Sequence, residues 1–337
     1  MKNYLLMAGL ILIGCSNAAP VTLQQAPAAG EASGACTHIV ANGTYSGSID
    51  ARSYPAGSTV CAETDGKVIF TGDFEPRGYN MRGFVVAGNR EKSVADGVFE
   101  RMSFIGGPPC GNVVNTYAGD NAVIRNSVFF GEGGRYLLLA YQVGNVQLSD
   151  VLFRVDGGWG ESQACNEYEP NAALAFYDSN SSTCEGCILI DSRVTAEESS
   201  ERLGGLGVNA HTEDECFDIE FRDSASFDDG YFWVEGNGRC EPVFENVRGS
   251  FNFNIRGEVT VSNSKGKSCN SWNGPVRKFN SMLETGNCAS QGSVGTLELN
   301  SSFLDDPRWR SEMCERYSDR RDGWCARDLK LSDYLSR

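Results

Sequence analysis

One phrase, repeated through the middle of the chain, constrains its fold more than any other feature. Ala122-Val-Ile-Arg-Asn126-Ser-Val-Phe-Phe-Gly131 returns as Val146-Gln-Leu-Ser-Asp150-Val-Leu-Phe153 and as Cys187-Ile-Leu-Ile-Asp191-Ser-Arg-Val194. It returns again as Ile219-Glu-Phe-Arg-Asp223-Ser224, Pro242-Val-Phe-Glu-Asn246-Val247 and Val259-Thr-Val-Ser-Asn263-Ser264, with an imperfect early copy at Val98-Phe-Glu-Arg101-Met-Ser-Phe104. Aligned on the Asn/Asp position, successive copies lie 25, 24, 41, 32, 23 and 17 residues apart. Apolar and polar residues alternate inside each copy, which is the period of a strand and not of a helix. A short strand unit that returns at this cadence cannot bury its apolar face alone and must stack on its neighbours, so the chain is read as an all-β solenoid. The 39 glycines serve turns between short Val, Ile and Phe runs, and long helical periodicity is nearly absent.

The phrase is similar to the repeat of right-handed parallel β-helix proteins, the pectate-lyase-like superfamily. Pro55-Ala-Gly-Ser-Thr-Val60 resembles the Pro-Gly-Asp-Thr-Val turn that opens many of those domains. The resemblance covers residues 36–268 and implies a single-stranded right-handed parallel β-helix. It implies no one activity, because that scaffold hosts lyases, hydrolases, epimerases, adhesins and phage fibres. In this register the residues four and two before the Asn/Asp (Val146, Leu148; Ile219, Phe221; Val259, Val261) point inward, as does the third after it (Phe104, Phe129, Phe153, Val194). The Asn/Asp column is expected to form a side-chain ladder at a turn, so Asp150, Asp191 and Asp223 are read as structural and not as catalytic acids. Tyr117, Tyr141 and Tyr177 each close an apolar strand and are read as aromatic packing at one corner.

Lys2, the apolar run Leu5 to Ile13 and the small Gly14 make a secretory signal, far short of the roughly 20 apolar residues that span a bilayer. Leu12-Ile13-Gly14-Cys15 resembles the bacterial lipobox, which implies cleavage before Cys15, its lipidation, and stable anchoring by several acyl chains. Ser16, where an Asp would retain the protein at the inner membrane, leans the address toward the outer membrane of the cell envelope. The chain is thus divided into a signal peptide (1–14), a lipidated Cys and Ala/Pro/Gly/Ser-rich tether (15–35), the β-helix (36–268) and a disulfide-clipped C-terminal coil and cap (269–337). Of 13 cysteines, 12 remain once Cys15 is assigned to lipid, an even set that suits disulfides in an oxidising compartment. Stacked coils sit about 4.8 Å apart, which suits bridges between equivalent positions. Cys36–Cys61 and Cys269–Cys288 are expected neighbours, and Cys314–Cys325 is expected to clip a short helix over Arg310–Tyr317. Connectivity among Cys110, Cys165, Cys184, Cys187, Cys216 and Cys240 stays open, with a pair among Cys184, Cys216 and Cys240 suggested by their similar offsets from the ladder. The CxxC at Cys184–Cys187 is read as structural, because there is no second CxxC, no thioredoxin-like pattern and only two histidines.

The formal charge of −15 excludes a nucleic-acid partner, which demands a basic surface. Positions two and four after the ladder residue are expected to face outward. Over seven copies they are Ser103, Ile105, Val128, Phe130, Leu152, Arg154, Arg193, Thr195, Ala225, Phe227, Arg248, Ser250, Lys265 and Lys267. Five are basic and none acidic, in a chain where acids outnumber bases 44 to 29. They are read as a basic, partly aromatic stripe whose spacing matches the roughly 5 Å repeat of an extended polysaccharide, one carboxylate or sulfate per coil. The two long spacings place insertions beside it at 156–171 and 195–206, and in the first of these Trp159 can stack on a sugar. His211-Thr-Glu-Asp-Glu215 offers a general base and a weak Ca²⁺ candidate without an EF-hand spacing, so the metal is left unknown. Asp228-Asp229 is a carboxylate pair, yet the Gly-His-Gly and Arg-Ile-Lys signatures of β-helix polygalacturonases are missing.

Two readings follow. In the first, an envelope-anchored lipoprotein binds an extended anionic polysaccharide through Arg154, Arg193, Arg248, Lys265, Lys267, Phe130, Phe227 and Trp159, with a structural or adhesive surface role as a variant. In the second, the chain is a polysaccharide lyase or epimerase, with Arg154 neutralising a uronate and Tyr177 or His211 as the base. A base within hydrogen-bond reach of Arg154 favours turnover, and an isolated Arg154 favours binding.

Overall fold

The computed structural model describes residues 35–107, 111–117, 120–131, 136–155, 172–191, 205–210, 215–216, 218–228, 231–272, 274–279, 281–288 and 293–294. All belong to the unit Ser33–Arg337, and every regular element among them is a strand. Every strand pairing is parallel, and each strand pairs with its equivalent one repeat away rather than with its sequence neighbour. Each repeat, or rung, adds a strand to up to three columns. The first column runs through His38–Val40, Thr59–Ala62, Asn80–Arg82, Gly97–Glu100 and the first half of Asn121–Gly131, and ends at Ser293–Val294. The second follows the ladder corner, and the third holds Asn112–Thr116, Tyr136–Tyr141, Ala172–Tyr177, Gly205–Ala210 and Tyr231–Cys240. Pairing continues without a break through Lys265–Ser271 to Val294.

The corner between the first two columns explains the repeated Asn/Asp. Asn126, Asp150, Asp223, Asn246 and Asn263 all have φ between 47° and 54°, the left-handed region that Asn and Asp tolerate better than other side chains. Asn246 donates its amide to the carboxylate of Asp223. One copy departs from the expected alignment. Leu152 and Ala225 both pair with Ile188, so the residue in the corner is Gly186 (φ 65°), and Asp191 lies at the end of the strand Ile188–Asp191. Asp191-Ser192 imitates Asp223-Ser224, and that resemblance displaces the reading by five residues. Where Gly186 supplies no ladder side chain, the Cys184–Cys187 disulfide spans the corner, with a Cα–Cα distance of 5.7 Å. Cys36–Cys61 and Cys269–Cys288 are also bridged. Cys240 is disulfide-bonded and stands opposite Cys216 in the register. Cys15, Cys110, Cys165, Cys314, Cys325 and the Arg310–Tyr317 helix lie outside the described residues.

A second ladder stands one residue further on. The buried Ser127, Ser224, Ser264 and Ser281 hydroxyls accept the backbone N–H of the preceding rung (Met102, Cys187, Val247 and Ser264) at 3.0–3.1 Å. Each also donates to a carbonyl, as Ser224 does to Arg222 at 2.7 Å, so a bend that strand pairing leaves unserved is satisfied internally. Inside, like stacks on like. Phe104, Phe129 and Phe153 are fully buried, with ring centroids 4.9 and 5.1 Å apart and planes within 24°. Leu189 continues that file; Val194 lies outside the described residues.

Candidate functional site

The positions expected to form an outward basic stripe do lie on the outer side of the second column, but that side is not open to solvent. Ile105, Val128, Phe130, Leu152, Ile188 and Lys265 are buried, and Arg154 is 9% exposed. Strands of a parallel sheet covered on both faces read as continuous apolar runs, and Ser-Val-Phe-Phe and Cys-Ile-Leu-Ile are such runs. The shifted register also removes a base: Ile188 and Ile190 occupy the positions assigned to Arg193 and Thr195. Arg248 and Lys265 pair in register near the C-terminal end. Lys265 Nζ lies 3.6 Å from Glu284 Oε1, and burial pushes the Arg248 guanidinium down to about 10. Lys265 is buried and Arg248 half-buried, so the expectation of a solvent-facing row is corrected for Arg154, Lys265 and Phe130. Arg193, Trp159 and His211, and the side chains of Phe227 and Lys267, lie outside the described residues.

The enzymatic constellation is also divided. Arg154 stands in the second column between Phe130 and Ile190, whereas Tyr177 stands in the third between Tyr141 and Asn209. Among the described residues no group of His, Cys, Asp or Glu converges as a metal site.

The outward side of the third column carries a second apolar cluster, Tyr136, Ala172, Ala175 and Trp233, that is buried apart from the core, and this side is half-open only along the ends of the strands. In Asn112–Thr116, Tyr136–Tyr141 and Ala172–Tyr177 two neighbouring apolar residues join the core (Val113-Val114, Leu137-Leu138, Ala173-Leu174), and a later residue of each strand (Thr116, Ala140, Phe176) is buried as well. The residue after each of these then points out, and it is Tyr117, Tyr141 and Tyr177 on three consecutive rungs. Tyr117 is 43% exposed and the other two are half-buried. The Tyr141 and Tyr177 rings lie 5.3 Å apart at 55°, a tilted contact unlike the flat Phe stack inside. Tyr141 and Tyr177 thus pack on each other as expected of this corner, and each keeps part of its ring open to solvent. Burial and the nearby Glu91 raise the Tyr117 phenol above its ordinary value, which keeps it a neutral hydrogen-bond donor. The same register position continues through Asn209, the half-buried Glu235 and Asn254, and reaches Trp272, 58% exposed, whose backbone N–H donates to Phe253 O.

At the N-terminal end this file opens into a cleft of about 300 Å³ lined by Asp50, Arg52, Glu75, Arg77, Ser93 and Ala95. Ser93 pairs with Asn115, two residues before Tyr117, so the cleft begins one rung before the first tyrosine. Arg77 donates to both oxygens of Asp120, at 2.7 Å for the longer bond, and to Asp96 at 3.2 Å. The backbone N–H of Arg52, at 2.8 Å, is the main force holding the Asp50 carboxyl below its usual range, with the Arg52 guanidinium adding to it. Tyr79 donates its hydroxyl to Asp50 O at 2.8 Å and fixes the cleft wall to the core. Glu75 is exposed. No sequence pattern marks Asp50, Glu75 or Ser93, because they come from early rungs that lack the phrase.

No family model, curated protein or solved structure matches this chain. Geometry and chemistry carry the functional reading by themselves.

Proposed function

We propose that this protein is a right-handed parallel β-helix of the pectate-lyase-like kind, tethered to the cell envelope through a lipidated Cys15, that binds an extended polysaccharide along the outward face of its third column. The observation that carries the reading is the file of half-open tyrosines on three consecutive rungs. Rungs repeat at about 4.8 Å and sugar units of an extended glycan at roughly 5 Å, so each ring can meet one pyranose. Aromatic faces bury the apolar C–H side of a sugar while hydroxyls find the amides, phenols and carboxylates alongside. Arg154 and Tyr177 stand on different columns, which argues against that pair as a cation and base, while His211 lies outside the described residues.

Affinity electrophoresis of the full chain through gels containing soluble plant or bacterial polysaccharides tests this. One or more polymers are expected to retard the chain. Tyr177→Ala is expected to weaken the interaction by about 0.5–1.5 kcal/mol, the worth of an aromatic contact. Retardation unaltered in Tyr177→Ala and Tyr141→Ala, with both variants folded, would contradict the assignment of this face.

A further inference from the structure

Resting on that reading, we infer that the polysaccharide is an uncharged, flat ribbon of the β-1,4-linked type, bound one sugar per rung over the file from Tyr117 to Trp272. Three observations converge. The first is straightness: the register from Thr116 through Ala140, Phe176, Val208 and Val234 is unbroken, and shifts begin only after Glu235. A polymer that follows this line must advance about one unit per 4.8 Å without curling, which a ribbon does and a coiled α-glucan does not. The seven positions Tyr117, Tyr141, Tyr177, Asn209, Glu235, Asn254 and Trp272 are separated by six rung spacings, about 29 Å from first to last, room for about seven units.

The second is charge. The arginines lining the cleft are already engaged by carboxylates: Arg52 with Asp50, and Arg77 with Asp120 and Asp96. Glu75 is exposed at the cleft and the chain carries a formal charge of −15, so a polymer with a carboxylate on every sugar approaches a body of like charge. The half-buried Arg248 and the buried Lys265 belong to the other column. The third is chemistry along the line. Aromatic rings at one end, with Trp272 at the other, suit sugar faces, and the half-buried Glu235 and Asn254 between them suit hydroxyls. This order fits a polymer whose units are alike and uncharged.

Isothermal titration of the full chain with cellotriose, cellohexaose, maltohexaose and hexagalacturonate decides the matter. Cellohexaose is expected to bind at least about tenfold tighter than cellotriose and at least about tenfold tighter than the other two hexamers. Tyr141→Ala is expected to remove most of that affinity and Tyr141→Phe to keep it, so the conservative variant preserves the test if the alanine variant melts early. Equal or tighter binding of maltohexaose or hexagalacturonate, still lost in Tyr141→Ala, would overturn the uncharged ribbon and leave the face standing. Binding of any hexamer that is indifferent to Tyr141→Ala would overturn the face itself, and no binding by any of them would overturn both.

Discussion

Lys92 shows how a single side chain can join two rungs. It stands opposite Val114 on the inner side of the third column, 3% exposed. Its ammonium donates to Gly88 O at 3.1 Å, Arg90 O at 3.0 Å and Gly106 O at 3.3 Å, closing the corner that leads to Ser93 and the cleft. Burial pushes this amine down to about 7. The folded value lies below the ordinary one, so between about pH 7 and pH 10 the unfolded chain holds the proton that the folded chain has released. Stability therefore rises with pH across that window, by at most about 1.4 kcal/mol per unit. Urea unfolding at pH 7, 8 and 9 is expected to show this rise in the parent chain and its absence in Lys92→Met. Parallel slopes in the two would contradict a depressed Lys92.

At the scale of the element, the corner and its two ladders hold the columns in register. Ser224 accepts the N–H of Cys187 at 3.1 Å and donates to carbonyls of Arg222 and Cys184, all within the buried bend. Ser224→Ala leaves that N–H without its acceptor and is expected to cost about 1–3 kcal/mol in urea unfolding, whereas a loss below about 0.3 kcal/mol would mean the ladder is incidental. Much of this was legible in the sequence. Asn126, Asp150, Asp223, Asn246 and Asn263 mark the corner because few other residues accept its left-handed backbone, and Phe104, Phe129 and Phe153 mark the core because alternation leaves them one side to face. The corner at Gly186 was not legible, since a glycine there competes with a better imitation of the phrase at Asp191. Nor was the covered outer side of the second column, because alternation tells which side of a strand a residue takes and not whether that side meets water. That distinction moved the candidate site from Arg154 and Lys265 to Tyr141 and Tyr177.

The whole molecule combines an acidic body of charge −15, an N-terminal lipobox-like segment and one long face whose chemistry changes from aromatic to amide along its length. The lipid anchor proposed at Cys15 is tested at this scale. Cys15→Ala is accordingly expected to move the protein from the detergent phase to the aqueous phase in a Triton X-114 partition; retention in the detergent phase would contradict lipid anchoring. The cleft residues Asp50, Glu75 and Ser93 become a site only at this scale, when three rungs bring together positions far apart in sequence. The central claim concerns which face is used, and hydroxyl-radical footprinting of the full chain with and without cellohexaose reads it directly from side-chain oxidation. Ligand is expected to lower modification of Tyr117, Tyr141 and Tyr177 several-fold and to leave the exposed Phe279 unchanged. Unchanged modification of all three tyrosines at saturating ligand would contradict it.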